Sequence, residues 1–581
     1  MKKNINLDEL LNNALGFIKD KDYDEAMAIY ERVLEEDNMH PQALSHLSII
    51  YLMKEKYTQV VDTIKKLLKV IPPIIGDYQN LALAYIALKD YENAINTYKN
   101  IIEINPNHAE TYKLLGDAQM EVVDYFGAID SYKKALELEP DKFQSKYDYG
   151  NILVICLHHD EALKYLREAL KIDPNHIECM NLIGRSLSAI CEYEEAKKIY
   201  KKLMKLAPDA VLPHIDYASC LAYEGGYDEP VKILKEVLVK KPENRIANTN
   251  LGLFHLSNKN FKEGWKYYDE RILMRNDKDV TKRHDMLKKF FSIDMNKKEL
   301  KIDEKIIILI DAGLGDVILG LSMLTEFHKK FKNISAEVDY RLLNLCKRSF
   351  PDINFYPVRE NRHKLIIDYD LSNFDKGIYW GSLGKYVRQE IEDFPKKETA
   401  FLNPDKNKIN IIKNKLEPRK DILCGISWKS FAHEGRHKTA MLEDLLPIFK
   451  LKGISFLDLQ YEDKNDIGHT SLEKEKLFKE RNIKIDDYED IDKREDIDDL
   501  TALASNCDII VTCSNVTAHI AGALGKKTFL FVPFRRGKLW YWHDKIGDSI
   551  WYPNIKIYTA ESFNSWGNIF QKIADKIQQE L

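Results

Sequence analysis

The chain has 581 residues, too many for one hydrophobic core, since cores stop growing near roughly 250–300 residues. Hydrophobic residues make up 44% and charged residues 31%, the balance of a soluble globular protein, and the net charge is −5. Lys and Arg are spread along the whole length, which argues against a nucleic-acid binder with its concentrated basic stripe, and the longest aliphatic run, Ile306 to Ile310, is far too short to span a bilayer.

From the N-terminus, Met1 to Asn13 lacks the apolar stretch of a signal peptide. The eight cysteines show no CxxC pairing, and Cys156, Cys191 and Cys220 sit in apolar helical stretches. They read as reduced core residues of a cytoplasmic protein, with neither disulfides nor a zinc site.

Prolines then recur at Pro72, Pro106, Pro140, Pro174, Pro208 and Pro242, always 34 residues apart. Three more series hold that phase. One is small (Ala26, Val60, Ala94, Ala128, Ala162, Ala196, Pro230, Gly264), and another is smaller still (Gly116, Gly150, Gly184, Ala218, Gly252). The last is large: Tyr30, Ile64, Tyr98, Tyr132, Leu166, Tyr200, Leu234, Tyr268. Small residues recur where the two helices of a hairpin cross closely, and large ones where one hairpin packs on the next. Proline follows each second helix because it cannot continue one. Within a unit the period is helical, as in Ala94, Ile95, Tyr98, Ile101 and Ile102. The pattern resembles the tetratricopeptide repeat and predicts about eight antiparallel helix pairs over residues 7–275, wound in a right-handed superhelix. Such arrays hold extended peptides on a concave face, so a protein or peptide partner is expected in the groove. The positions that carry an asparagine ladder in some of these proteins are mixed here: Leu114, Asp148, Leu182, Asp216 and Asn250.

Residues 276–302 read as a charged helical linker. Beyond them short aliphatic runs alternate with helical patterns, which predicts parallel sheets covered on both faces. A polar break near residues 394–421 divides two such lobes, 303–400 and 401–581, facing each other across a cleft. Ligands of these sheets bind beyond the carboxyl ends of the strands, so the loops there carry the chemistry.

Four loops stand out. In Asp311–Asp316 the glycines Gly313 and Gly315 allow a tight turn, and Asp316 sits on the first turn of the following helix; it is either a cleft carboxylate or an acid favoured by the helix dipole. In Ser427–Thr439, Trp428 precedes Lys429, Arg436 and Lys438, cations that either hold a diphosphate or line a solvated loop. In Cys513–Gly525, Ser514, Asn515 and Thr517 open a helix whose free N–H groups form an anion site, while Ser514 also reads as an N-cap and His519 as a core histidine. The loop from Pro533 to Pro553, rich in Arg and Trp, either stacks on a base or sugar or packs on the surface. Asp496-Ile497-Asp498 and Asp368-Tyr369-Asp370 match the metal-binding DxD pattern, but the former opens a helix, where acids are common for dipole reasons; no metal site is expected.

Together these loops are similar to bacterial tetratricopeptide glycosyltransferase-like proteins. They also look like the heptosyltransferase family and, more distantly, protein O-GlcNAc transferase. Gly264-Trp265, Tyr268 and Arg271 fit the closing repeat, and Gly313–Asp316 the first-strand loop. Trp428-Lys429 with Arg436 fit the nucleotide-lobe loop, Ala518–Lys526 the helix after Leu500, Ala502 and Leu503, and Trp551-Tyr552-Pro553 the terminal aromatic motif. The resemblance implies a tetratricopeptide superhelix joined to a two-lobed Rossmann-like fold of the GT-B type, with an acceptor lobe (303–400) and a nucleotide-sugar lobe (401–581). It implies a metal-independent, inverting glycosyltransferase with no bound cofactor. Its donor would be a nucleotide-diphosphate sugar and its acceptor a hydroxyl of a protein such as flagellin or another surface protein. Asp316 would be the catalytic base, and Trp428, Lys429, Arg436, Lys438, Ser514, Asn515, Thr517 and His519 the donor site. The chain departs from the family at Ser514, where Asp is common. A catalytically silent scaffold for protein binding is the second reading.

Overall fold

A computed structural model describes residues 7–274, 300–361, 364–366, 369–397, 400–416, 421–431, 435–462, 469–488, 490–535, 537–543, 547–563 and 565–580. Most of the expected linker, and Asp368, lie outside these residues. The chain forms two compact units, Met1–Pro208 and Asp209–Leu581.

The first unit contains six helical hairpins, from Leu7–Lys19 with Tyr23–Glu36 to Ile177–Ala189 with Tyr193–Leu206. Their register explains the residue series. A Cβ on Gly116 would stand 2.9 Å from the Tyr132 ring, one on Gly150 2.7 Å from Leu166, and one on Gly184 2.8 Å from Tyr200. The large series therefore fills the gap left by the glycine of its own hairpin, rather than serving only the contact with the next one. Asp22, Asp90 and Asp124 cap second helices by accepting from the N–H three residues on. The turn inside each hairpin takes one residue with positive φ, at Lys21, Glu55, Lys89, Val123, Leu157 and Cys191, again 34 apart. Cys179 is buried, as are Cys220 and the four others in the second unit, whereas Cys156 and Cys191 are half-buried, and none of the eight is in a disulfide.

The second unit begins with two further hairpins, Val211–Glu224 with Asp228–Lys240 and Arg245–Ser257 with Phe261–Tyr268, ending in a 3-10 turn, Asp269–Met274. The left-handed turn positions inside these two hairpins are Gly225 and Lys259. Among the described residues no strand precedes β1. The strands are β1 (Ile306–Leu309), β2 (Ile334–Asp339), β3 (Asn354–Asn361), β4 (Lys364–Ile366), β5 (Lys376–Tyr379), β6 (Ile422–Ser427), β7 (Ile454–Asp458), β8 (Ile485–Asp486), β9 (Ile509–Cys513), β10 (Lys527–Val532), β11 (Gly547–Asp548) and β12 (Ile555–Thr559). They form two sheets, in the orders β4-β3-β2-β1-β5 and β11-β12-β10-β9-β6-β7-β8. Only the edge strands β4 and β11 run antiparallel to their neighbours. β1 is aliphatic and fully buried because helices cover both faces of a parallel sheet. Each sheet starts in its middle, builds outward on one side, then crosses to the other. The order therefore reverses between β1 and β5 in the first and between β6 and β9 in the second.

Candidate active site

At the first reversal, β1 runs into Asp311 and β5 into Trp380 and Gly381. The Asp311 carboxylate accepts from the Gly381 N–H at 3.3 Å and pairs with the Arg271 guanidinium. Arg271 comes from the turn that ends the last hairpin and lies over the Tyr268 ring at 4.1 Å. Trp265 of the same hairpin packs where Gly384 has no side chain, and its indole N–H donates to the Arg388 carbonyl at 2.6 Å. These groups enclose a cavity of about 340 Å³, walled by Trp265, Tyr268, Trp380, Trp540, Tyr541 and Trp551, with Asp311, Asp316 and Arg271 as its charged lining. The volume and the mix of aromatic walls with few polar groups are those of a small-molecule site.

Asp316 stands on the first turn of the helix Leu314–Leu321. Burial pushes its carboxyl above the ordinary value, and the neighbouring Asp311 charge adds to the rise. Its Oδ1 accepts from the Tyr541 hydroxyl at 3.3 Å. The two glycines beside it differ in kind. A Cβ on Gly313 would meet only the Asp316 carboxylate, at 3.7 Å, whereas one on Gly315 would stand 2.8 Å from the His519 ring. Gly315 is thus the point at which the first-sheet loop and the helix after β9 touch.

The second reversal brings the other expected residues together. The Gln460 side-chain oxygen Oε1, just past β7, accepts from Trp428 N, Lys429 N and the Ser427 hydroxyl at 2.9, 2.7 and 3.1 Å. Asn515 donates to Ser427 Oγ at 2.7 Å and to the Lys429 carbonyl at 3.1 Å, and its own oxygen caps the Ala518 N–H. Thr517 donates to the Leu459 carbonyl at 3.5 Å. The Lys429 ammonium pairs with Glu473 at 2.8 Å, and Glu473 also accepts from the Trp428 indole at 2.9 Å. Ser514 Oγ accepts from the Trp542 indole at 2.9 Å. Lys438 is buried, and its charge lowers the proton affinity of Asp316, Cys513 and His519. The Arg436 side chain lies outside the described residues. His519, driven chiefly by burial, falls to about 3 and is a neutral imidazole.

Asp316, Gly315, His519 and Ser514 therefore converge around Tyr541 and Trp542, while Trp428, Lys429 and Asn515 are bonded together through Gln460 and Ser427, and Thr517 is bonded to the Leu459 carbonyl. Sequence reading missed Gln460, Glu473 and the Asp311–Arg271 pair. Gln460 carried one signal, a polar residue closing an aliphatic strand at its carboxyl end. Asp496 caps its helix by accepting from Asp499 N at 2.9 Å, and Asp498 pairs with Arg348. Among the described residues no group of three or more His, Cys, Asp or Glu is placed to hold a metal ion. No helix among them is long and apolar enough to cross a membrane.

Residues 78–108 and 158–222 match models of the tetratricopeptide repeat family. The helical array is a tetratricopeptide array. Over 292 residues the chain is 27% identical to Protein FlbA of Caulobacter vibrioides, covering 47% of this chain and 46% of that protein, so it spans about half the length of this curated relative. Solved structures similar to the tetratricopeptide chain include the C-terminal part of a repeat-containing protein from Cytophaga hutchinsonii, 15% identical over 42% of this chain and 99% of that one, with a TM-score of 0.36. Another is YrrB, a tetratricopeptide protein with an unusual peptide-binding site, 21% identical over 32% of this chain and 95% of that one, with a TM-score of 0.29. The chain is a repeat protein with the surface suited to protein partners, followed by parallel sheets.

Proposed function

We propose that the α/β region is a metal-independent glycosyltransferase of the GT-B type, moving a sugar from a nucleotide-diphosphate sugar to a hydroxyl of a protein held by the tetratricopeptide array. The observation that carries this reading is Asp316, a partly buried carboxylate on a cavity wall at a sheet reversal, with its proton affinity raised above the ordinary value by desolvation. A hydroxyl is a poor nucleophile until its proton is taken, and general-base help is worth about 100- to 10,000-fold in rate. Reaction with one base opposite the leaving diphosphate would invert the anomeric centre. Nucleotide and diphosphate would lie at the second reversal, near Lys438 and the helix that starts after Asn515, as the resemblance implies.

The array supports a peptide partner. Burial raises the Asp148 carboxyl to about 6, and its Oδ2 has no hydrogen-bond partner among the described residues. A peptide N–H would satisfy it.

A catalytically silent scaffold is favoured by one observation: Lys429, Ser514 and Asn515 are already occupied by Glu473, Trp542 and Ser427. Incubating the full chain with a panel of nucleotide-diphosphate sugars and following free nucleotide separates the two. Release with at least one donor supports the transferase. No release from any donor, together with no nucleotide binding by calorimetry, supports the scaffold.

A further inference from the structure

A line of four side chains crosses from the second sheet to the first: Tyr552, His519 and Tyr541, all buried, and Asp316, partly buried at the cavity. The Tyr552 hydroxyl lies 3.0 Å from His519 Nδ1, and the Tyr541 hydroxyl lies 3.4 Å from His519 Nε2 and 3.3 Å from Asp316 Oδ1. Tyr552, His519 and Tyr541 are at most 3% exposed, so water does not substitute for a missing partner at the imidazole. The two Tyr541 contacts are long for settled hydrogen bonds.

Proton counting fixes the direction of the line. Tyr541 has one hydroxyl proton and two neighbours that would accept it. A carboxylate draws that proton harder than a neutral imidazole nitrogen, and among the described residues Tyr541 is the donor to Asp316 Oδ1. Tyr541 therefore donates to Asp316, its oxygen accepts from His519 Nε2–H, and His519 Nδ1 accepts from Tyr552. The opposite tautomer would send the Tyr541 proton to Nε2 and strip the carboxylate of its donor. The ring is held for this task on its faces as well. It lies against Gly315, where a Cβ would stand 2.8 Å from it, and against Trp542 at 5.4 Å between centroids.

We infer that His519 is a positioning residue, locked as the neutral Nε2–H tautomer, which through Tyr541 holds one oxygen of Asp316 and leaves the other to the cavity. The line also ties the proposed base to both sheets: Asp316 comes from the helix after β1, and its support comes from the helix after β9 and the loop after β10. Loss of the imidazole proton affinity by burial is consistent with a ring that stays neutral across the working pH range. The consequence for turnover rests on the proposed role of Asp316 as a base; the tautomer and the line do not.

Two measurements on the full chain, neither requiring a sugar, test this. In protein labelled with ¹⁵N-histidine, the His519 ring signals are identified by their loss in His519→Gln. A protonated Nε2 and an unprotonated Nδ1 are expected from pH 8 down to pH 5; a protonated Nδ1, or an imidazolium anywhere in that range, overturns the assignment. In protein labelled with ¹³C-aspartate, the infrared carboxyl band of Asp316 is identified by its loss in Asp316→Asn. The isosteric Tyr541→Phe removes the donor to the ionised form, so the Asp316 midpoint is expected at higher pH. An unchanged midpoint overturns the coupling. A failure to find any transferase activity leaves both results standing, so the two failures are distinguishable.

Discussion

The two sheet reversals share a topology and differ in how their polar groups are satisfied. At the second, Gln460, Asn515, Glu473 and Trp542 supply partners for Trp428, Lys429, Ser427 and Ser514, and the side chains complete one another. At the first, a cavity of about 340 Å³ remains, and among the described residues Asp316 has one long side-chain hydrogen bond, from Tyr541. A group bonded within the fold contributes to stability. A buried carboxylate with few partners costs stability and is retained where it serves a ligand. On the proposed reading, the difference separates the residues that hold the site from those that would face a substrate.

Substitutions in the two places should therefore act in opposite directions. Gln460→Met strands two buried N–H donors and leaves the Ser427 hydroxyl without this acceptor. At about 1–3 kcal/mol for each stranded donor, a loss of about 3 kcal/mol or more is expected in urea unfolding. An effect below 1 kcal/mol would place those donors in contact with water and weaken the contrast. Gly315→Ala acts where the two reversals meet. Its Cβ is too close to the His519 ring, and overpacking of this kind costs about 1–3 kcal/mol. Unfolding at parental denaturant concentration would show that the loop and the helix are not in contact.

Asp316→Asn should have the smallest effect on stability, and the opposite sign. The folded-state proton affinity of Asp316 is raised, so its ionisation opposes folding. Below the ordinary carboxylate value the parent and the variant should melt together. As pH rises through the folded value, the parent loses stability that the variant keeps, so the variant should melt slightly higher at neutral pH. A lower melting temperature for the variant at neutral pH would make Asp316 a structural group like those of the second reversal.

The parts of this arrangement were unequally legible in the sequence. The repeats are visible because each close helix crossing needs a small residue, as Gly116, Gly150 and Gly184 show, at a fixed interval. The left-handed turns inside the hairpins are not, because Lys21, Glu55 and Val123 adopt positive φ where glycine would advertise it. The strands β3 and β5 escape notice since one contains Pro357 and Arg359 and the other has four residues. Asp316, Gly315 and His519 stand out as members of short motifs. Their partnership with Tyr541 does not, because 225 residues separate Asp316 from the hydroxyl it accepts from. Lys429 looks like a free cation in the sequence, and only the fold brings Glu473 to it.

The central claim is that the first reversal is where chemistry occurs and that Asp316 takes the proton. The most direct measurement compares turnover of the parent and Asp316→Asn with whichever nucleotide-diphosphate sugar the parent consumes, alongside donor affinity and melting. The account predicts turnover at least about 100-fold lower in the variant, with donor affinity near that of the parent and no loss of thermal stability. Turnover within a few-fold of the parent would contradict it and remove Asp316 from the mechanism.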